Sequence, residues 1–296
     1  MYTSNVVSTL NGSNSAIAHR DRSIGAILID AGRLKIEDAE RILRLQKEQD
    51  MRFGAAAMQL GLLTQADIDF ALSSQFDYPY LLAGQSAVSK DVIAAYAPFS
   101  PQVEQLRALR SQLMLRWFDA DASRKALAIV SAERKEGRSF IAANLAVAFS
   151  QLGEHTLLID ADMRNATQHQ LFGLDNRSGL SAVLSGRGGP DSIQRIPALR
   201  DLSVLTAGAQ PPNPSELLAR PLLSQLLHES AKEFDVILLD TPAAAETADA
   251  QTVTMRAGGA VIVARKNFSH SWRVRGIADH TVQTSAVIVG TVLNDY

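Results

Sequence analysis

The chain has 296 residues, 46% of them hydrophobic, and a formal net charge of −2 from 29 basic and 31 acidic residues. A chain of this length can bury a sizeable core, and its charge balance favours neither nucleic-acid binding nor a polybasic membrane anchor. The sequence contains no cysteine, no apolar run long enough to span a bilayer and no N-terminal signal segment. Together with the charge balance, these features predict a cytoplasmic protein that binds no nucleic acid.

The N-terminal part of the chain contains a polar segment and then an internal repeat. Residues 1–21 are rich in Ser, Asn and Thr, which predicts a disordered tail. Sliding the sequence by 29 residues aligns 23–46 with 52–75. Each copy predicts a short helix, a glycine turn and a second helix, so residues 22–82 are predicted to form a small helical domain.

The two tandem copies resemble the N-terminal domain of type II secretion and related pilus ATPases, in which such repeats can bind cyclic di-GMP. Glycines allow a ligand to approach the backbone closely, and arginine pairs with phosphate or stacks on guanine. The alternative, which the sequence leaves open, is a docking module whose glycines only cap helices. The candidate cyclic di-GMP residues are Arg22, Gly25, Gly32, Arg52, Gly54 and Gly61.

A loose composition over residues 83–102 predicts a linker. A helical pattern follows, in which Glu104, Arg107 and Arg110 recur at intervals of three. This spacing alone predicts a solvated face with an intrahelical ion pair. The remainder, 103–296, alternates strand-like and helix-like segments, which predicts an α/β domain with a mostly parallel sheet.

The strand-like segment Ala126–Ser131 leads into a degenerate phosphate-binding loop. The pattern G-x-x-x-x-G-K-[ST] holds nucleotide phosphates in backbone N–H groups at a helix N-terminus, with its lysine on the terminal phosphates and its hydroxyl on Mg²⁺. Here alanine replaces the first glycine and arginine replaces the lysine, while the second glycine and the hydroxyl are kept. The candidate nucleotide-binding residues are Ala132, Glu133, Arg134, Lys135, Glu136, Gly137, Arg138, Ser139 and Phe140.

Two further apolar strands downstream of the loop end in aspartate. The segment Thr156–Asp160 continues into Asp162 and Arg164, and the segment Asp235–Thr241 contains Asp240. Because the carboxyl ends of parallel strands meet at one edge of a sheet, these oxygen ligands are expected to face the loop. Such ligands suit a magnesium ion bound together with phosphates.

These motifs together resemble the bacterial tyrosine kinases that control exopolysaccharide and capsule synthesis, of the stand-alone cytoplasmic chain-length-determinant type. The resemblance covers about residues 88–296. It rests on the degenerate loop, the D-x-D-x-R motif at Asp160–Arg164, the Asp240–Pro242 strand end, the GAQPPNPSELL segment at Gly208–Leu218 and the E-x-x-R-x-x-R helix at Glu104–Arg110.

The resemblance implies a P-loop NTPase fold that uses ATP and Mg²⁺. It also implies a homo-oligomer, with Glu104, Arg107 and Arg110 contributing to self-association. The expected partner is a membrane chain-length or polysaccharide co-polymerase protein, which would hold the chain peripherally at the inner membrane.

The family also assigns roles at the strand ends. The resemblance implies that Ser139 and Asp240 hold Mg²⁺, that Asp160 supports the metal and that Asp162 accepts the tyrosine proton. The implied catalytic set is Asp160, Asp162 and Arg164, and the implied metal set is Ser139, Asp160 and Asp240.

Three departures from the family pattern leave two functions open. Arg138 replaces the lysine, Lys135 stands where the family usually has glycine, and Tyr296 is a lone C-terminal tyrosine rather than a cluster. Tyr296 is a candidate phosphoacceptor or simply a terminus. The first function is a tyrosine kinase regulating exopolysaccharide synthesis, chain length or export. The alternative is a non-catalytic nucleotide-binding regulator or scaffold of the same machinery, responsive to cyclic di-GMP.

Overall fold

A computed structural model gives the fold in two compact units, divided between residues 79 and 80. The predicted tail, Arg22 and Tyr296 lie outside the described residues. Among the helices that are described, none is long and apolar enough to cross a membrane. The residues that the structure describes are 23–75, 80–81, 84 and 86–295.

The first unit is helical, as predicted, with one pair of helices from each copy of the repeat. Gly32 and Gly61 follow the first helix of their copies at φ angles of +68° and +65°, a left-handed conformation that favours glycine and ends a helix. The last helix begins at a reciprocal cap, where Thr64 N donates to Asp67 Oδ2 at 3.0 Å and Asp67 N donates to Thr64 Oγ1 at 3.3 Å. Apolar side chains of both copies form one core. The helices are α1 (Ile24–Asp30), α2 (Ile36–Gln49), α3 (Phe53–Gln59) and α4 (Gln65–Gln75).

The second unit is an α/β fold with a mostly parallel sheet, which confirms the predicted fold class. The described strands lie in the order β3-β4-β2-β5-β1-β6-β7, and among them only the β3–β4 pair is antiparallel. The strands are β1 (Ala126–Ser131), β2 (Thr156–Asp160), β3 (Gln194–Arg195), β4 (Leu202–Leu205), β5 (Val236–Asp240), β6 (Gly259–Arg265) and β7 (Val287–Asn294). The helices are α5 (Ile93–Tyr96), α6 (Pro101–Leu113), α7 (Arg138–Ser150), α8 (Gln168–Phe172), α9 (Leu180–Leu184), α10 (Pro214–Ala219), α11 (Pro221–Ser230), α12 (Asp249–Ala257) and α13 (Ser271–Val282).

Strand β1 lies between β5 and β6 and is buried on both faces, as its near-continuous apolar sequence requires. Ile129 packs into one apolar cluster and Val130 into another on the opposite face. The parallel register pairs Asp160 at the end of β2 with Asp240 at the end of β5, and β5 pairs with β1. The phosphate loop and both aspartate strand ends therefore meet at one edge of the sheet.

The predicted linker, residues 83–102, differs in the structure, because its described residues are packed rather than loose. Val92 and Ala94 are fully buried in the core of the second unit. Ala94 N donates a hydrogen bond to the buried Asn144 Oδ1 on α7 at 2.9 Å. The small side chains that suggested a linker allow this close packing against a helix.

Candidate nucleotide and phosphoryl-transfer site

The phosphate loop joins β1 to α7, the strand–loop–helix arrangement that the sequence predicted. Helix α7 starts at Arg138 directly after Gly137, whose φ is +97°. Lys135 also adopts a left-handed conformation, at φ +63°. Such a conformation costs a non-glycine residue roughly 1 kcal/mol or more. The fold therefore carries this conformational cost at a position where the family usually has glycine.

A buried glutamate holds the loop in shape. The carboxylate of Glu136 accepts hydrogen bonds from Glu133 N at 2.7 Å and from the hydroxyl of Ser269. Its carbonyl oxygen accepts a hydrogen bond from Asn294 Nδ2 at 3.1 Å. A Cβ atom on Gly137 would lie 2.2 Å from Asn294 Nδ2, so this position requires glycine for space as well as for φ. No local pattern in the sequence marks Ser269 or Asn294 as part of the site.

The arginine that replaces the loop lysine is tied to the surrounding backbone. The side chain of Arg138 is 8% exposed, and its Nε donates to Thr241 O at 2.6 Å. Its Nη1 donates to Ser131 Oγ and to Glu133 O, the latter at 3.0 Å, while Nη2 lies 3.8 Å from Asp162 Oδ2. The guanidinium thus connects the loop with the segments that follow β5 and β2. A lysine ammonium cannot make this forked set of contacts.

The two strand-end carboxylates are fully buried and differ in how well they are bonded. Asp160 accepts three backbone hydrogen bonds, from Asp162 N at 3.1 Å and from Thr167 N and Gln168 N at 3.0 Å each. Asp240 Oδ2 accepts a hydrogen bond from Gln168 Nε2 at 2.8 Å. Asp240 Oδ1 is buried without a hydrogen-bond partner among the described residues. A carboxylate oxygen left in this state is costly and is suited to a cation.

Both carboxylates have raised pKa values. Burial raises the pKa of Asp160 well above its usual range, and the neighbouring charge of Asp240 adds to the shift. Burial also raises the pKa of Asp240, although the positive charge of Arg138 and the hydrogen bond from Gln168 act in the opposite direction. A divalent cation at this point would favour the ionised form of both groups.

Gln168, at the start of α8, is a member of the site that the sequence reasoning missed. Its side chain is fully buried, and its Nε2 contacts Ser139 O at 3.2 Å in addition to Asp240. It therefore links the loop to the carboxylate at the end of β5. No motif points to this glutamine, because its two partners lie 29 and 72 residues away in sequence.

Asp162 and Arg164 of the D-x-D-x-R motif have different surroundings. Asp162 is 5% exposed, and its Oδ1 accepts hydrogen bonds from the backbone of Arg164 at 3.2 Å and of Asn165 at 2.9 Å. The guanidinium of Arg164 is bound by Asp249 Oδ2 at 3.0 Å and by Ser215 Oγ at 3.0 Å. These contacts hold the segment that carries Asp162, and the catalytic role expected for Arg164 remains a prediction.

The donor set fits a magnesium ion bound through a nucleotide. Ser139 lies in the first turn of α7, and Asp160 and Asp240 lie side by side at the adjacent strand ends. Among the described residues, no group of three or more acidic, histidine or cysteine side chains is arranged to hold a metal by itself. This is the pattern expected for Mg²⁺, which keeps several waters and is usually bound by one or two carboxylates together with phosphates.

The residues expected to support self-association are engaged within the chain. Glu104 and Arg107 form the predicted intrahelical ion pair, at 3.1 Å. Arg110 Nη1 donates to Ala148 O on α7 at 2.9 Å. Helix α6 is thereby attached to the helix that follows the phosphate loop.

The four candidate cyclic di-GMP glycines of the first unit have structural roles. A Cβ on Gly25 would lie 3.3 Å from the Phe53 ring, and one on Gly54 would lie 3.4 Å from Ile68, so both glycines permit close packing. Gly32 and Gly61 end helices, as described above. Arg52 is exposed at the start of α3.

The sheet, the loop and the aspartate strand ends define a P-loop NTPase fold. The septum site-determining protein MinD of Pyrococcus horikoshii, solved with Mg-ADP, shares this fold at 24% identity, with a TM-score of 0.51 over 57% of this chain and 69% of that one. No protein-family model matches the chain.

Comparison with known proteins identifies the family. The tyrosine-protein kinase YwqD of Bacillus subtilis is 34% identical over 71% of this chain and 87% of its own length. The tyrosine-protein kinase wzc of Salmonella typhimurium is 32% identical over 69% of this chain, which spans 28% of that longer relative. The chain belongs to the bacterial tyrosine-protein kinases, which confirms the family expected from the motifs.

Solved structures agree with this assignment. The chimerical protein CapA2B2 is 35% identical, with a TM-score of 0.65 over 75% of this chain and 96% of that one. The kinase domain of the Escherichia coli tyrosine kinase ETK is 32% identical, also with a TM-score of 0.65, over 69% of this chain and 79% of that one. The non-catalytic alternative is not favoured by these comparisons, and they give no support to the resemblance between residues 22–82 and secretion ATPases.

Proposed function

We propose that the chain transfers the γ-phosphoryl group of Mg-ATP to tyrosine and thereby regulates exopolysaccharide synthesis, chain length or export. The observation that carries this proposal is the convergence of three carboxylates on one phosphate loop. Asp160 and Asp240 are register partners beside the loop, and Asp162 lies 3.8 Å from the loop residue Arg138. Phosphoryl transfer depends mainly on positioning and charge neutralisation, which this set of groups provides.

The roles of the residues follow from their chemistry. Mg²⁺ bound with the phosphates would neutralise the charge that develops on the transferred group. Ser139 and Asp240 are the proposed ligands, and Asp160 holds the segment after β2 through its three backbone hydrogen bonds. In the transfer, the bond from the γ-phosphorus to ADP breaks and a bond to the tyrosine oxygen forms. The phenolic proton passes to Asp162.

The burial of Asp162 sets a condition on this reaction. Its Oδ1 is occupied by two backbone N–H groups, so Oδ2, on the side of Arg138, is the oxygen that accepts the proton. Because Asp162 is only 5% exposed, a tyrosine hydroxyl reaches it only after the segment following β2 or the Arg138 side chain moves. We expect nucleotide binding to drive that movement, because the phosphates compete with Asp162 and the backbone carbonyls for the Arg138 guanidinium.

Detection of phosphotyrosine tests the proposal. The purified full chain is incubated with Mg-ATP, alone and with the cytoplasmic segment of a membrane chain-length protein, and the sites are located by mass spectrometry. We expect phosphotyrosine in the wild type, none in Asp162→Asn, and wild-type levels in the control Asp191→Asn, which makes the same change at an exposed position. Wild-type protein that binds Mg-ATP but yields no phosphotyrosine under either condition would contradict the kinase assignment.

The partners belong to the same proposal. We expect self-association through the face of α6 that carries Glu104, Arg107 and Arg110, and recruitment to the inner membrane by a chain-length or co-polymerase protein. Light scattering of wild type and Arg107→Glu checks the first expectation, because an unchanged mass would contradict a role for that face. Co-sedimentation with membranes that contain or lack the partner checks the second.

For the first unit, we propose docking rather than nucleotide binding. Its four candidate glycines are accounted for by helix ends and close packing, as described above, and of the candidate residues that the structure describes only the exposed Arg52 is not accounted for in this way. Cyclic di-GMP binding remains a prediction from the repeat. Calorimetric titration of the full chain with cyclic di-GMP tests it, and an absence of heat at micromolar protein would remove it.

A further inference from the structure

A cavity of about 340 Å³ lies in the second unit, between α12 and α13 and on the side of the loop start. Its volume falls within the range of small-molecule pockets. The walls are mainly apolar and include Val130 at the end of β1, Ala244, Ala245 and Ile277. None of the side chains assigned above to phosphoryl transfer lines it.

Two features of α13 keep this cavity open. Gly276 lies inside the helix, where glycine lowers helix stability, and a Cβ atom there would meet no atom within 4 Å. Neither close packing nor an unusual φ requires glycine at this position, and the absence of a side chain there leaves the cavity open. Trp272, one turn earlier, also lines the cavity, and its side chain is 65% exposed. An exposed indole beside an apolar cavity is a typical contact surface for a flat ring.

Basic side chains form part of the wall. Arg273 and His280 line the cavity, and among its described lining residues none is acidic. Nδ1 of His280 lies 2.6 Å from Gly276 O, which holds the imidazole beside the open space. Glu133, on the phosphate loop, pairs with Arg273 at 3.2 Å and does not line the cavity. A ligand with one acidic group is therefore favoured over a neutral or cationic ligand.

The cavity is in direct contact with the phosphate loop. Ala132, the first residue of the loop, forms part of the wall. Ala244 N and Ala245 N donate to Ser131 O and Ala132 O at 3.0 Å each, so the wall segment after β5 is bonded to the start of the loop. A ligand that orders these residues acts on the loop and on the segment that follows Asp240 through contiguous contacts.

We propose that this cavity is an effector site for a flat aromatic ligand with one acidic group, and that its occupancy changes the affinity of the phosphate loop for nucleotide. The binding part stands on the cavity alone. The coupling part rests on the nucleotide binding proposed above.

Two dyes that differ only by an acidic group serve as probes. Anilinonaphthalene sulfonate is titrated into the full chain, and N-phenylnaphthylamine provides the same ring system without the sulfonate. Trp272 reports binding through its fluorescence and its indole N–H resonance, which is distinct from that of Trp117, whose buried Nε1 donates to Ala126 O at 3.0 Å. We expect saturable binding of one sulfonate per chain and binding of the neutral dye weaker by roughly tenfold.

Variants locate the site. Gly276→Leu fills the cavity while adding a better helix former, so it is expected to fold and to weaken sulfonate binding by roughly tenfold or more. Arg275→Leu places the same side chain at the next position of α13, which is exposed and does not line the cavity, and should bind like wild type. Thermal unfolding of both variants confirms that they are folded. Equal binding by wild type and Gly276→Leu, or no saturable binding, would overturn the site.

Reciprocity tests the coupling. Saturating Mg-ADP should change the affinity for the sulfonate by about fivefold or more, and the sulfonate should change the affinity for Mg-ADP by the same factor. Saturable sulfonate binding that is unaffected by bound Mg-ADP would overturn the effector role. A failure of Mg-ADP to bind would instead count against the proposed function, since the Trp272 signal does not depend on nucleotide.

Discussion

Replacing Arg138 with lysine separates the two roles of this position, holding the loop and binding phosphate. In the structure the guanidinium donates to Thr241 O, Glu133 O and Ser131 Oγ. Lysine has no Nε–H group and no fork, so at least two of these three hydrogen bonds from the guanidinium are lost, although Glu133 O keeps the one that it accepts from Ser131 Oγ at 2.9 Å. Each loss of a hydrogen bond from a charged donor costs roughly 1.5–3 kcal/mol. Arg138→Lys is therefore expected to lower the free energy of unfolding by about 3 kcal/mol or more.

The assay is thermal unfolding in EDTA and again in saturating Mg-ADP. For a unit of this size, a loss of 3 kcal/mol lowers Tm by roughly 6–12 °C. In Mg-ADP the difference in Tm should narrow, because a lysine ammonium can bind the phosphates without first giving up the buried hydrogen bonds that hold the guanidinium. Arg187→Lys, the same change at an exposed arginine, should leave Tm unchanged. An Arg138→Lys protein as stable as wild type in EDTA would refute the view that the guanidinium holds the loop.

Three further predictions concern the same site. Asp240→Asn is expected to raise Tm in EDTA near neutral pH. The pKa of Asp240 is raised in the folded protein, so the wild type loses stability as the pH rises through that folded-state pKa, and the variant does not. The difference in Tm should vanish at pH values below the usual aspartate range, which unfolding scans across pH check. Lys135→Gly should relieve the strain of the left-handed conformation and raise the free energy of unfolding by up to about 1 kcal/mol, which denaturant titration measures. Calorimetry should show weaker Mg-ADP binding, because the positive charge is lost. A lower free energy of unfolding would contradict the strain argument. Gly137→Ala should weaken nucleotide binding because its Cβ clashes with Asn294, and adding Asn294→Ala should restore part of the lost affinity. Calorimetry on the two single variants and the double variant measures this, and binding free energies that simply add would exclude the clash as the cause.

Local sequence patterns were sufficient for the framework of the site. The apolar run Ala126–Ser131 and the glycine before α7 predicted the strand, loop and helix, and the structure has the strand over the same residues. The D-x-D-x-R and Asp240 strand ends follow from the rule that parallel strands align their carboxyl ends. These features depend on interactions between near neighbours in sequence, which periodicity and turn chemistry capture.

The contacts that complete the site depend on partners far away in sequence. Ser269 and Asn294 hold Glu136 across 133 and 158 residues, and the residue type alone does not indicate such a pairing. The contacts of Arg164 with Ser215 and Asp249 are equally remote, at 51 and 85 residues. The motif suggested a catalytic role for Arg164, which remains a prediction, and gave no indication of the contacts that Arg164 makes with these two partners. The buried segment around Val92 was missed for the same reason, since small apolar residues suit a linker or a tight helix contact.

Calorimetric titration of the intact protein with Mg-ATP tests the central claim most directly, with Asp240→Ala as the variant that removes the carboxylate whose Oδ1 has no hydrogen-bond partner among the described residues. The account predicts micromolar binding in the wild type, loss of that binding in Asp240→Ala, and dependence on Mg²⁺ in the wild type. The same affinity in both proteins, or no binding by a folded wild type, would contradict the claim that the Arg138 loop and the paired strand-end aspartates form a working Mg-nucleotide site.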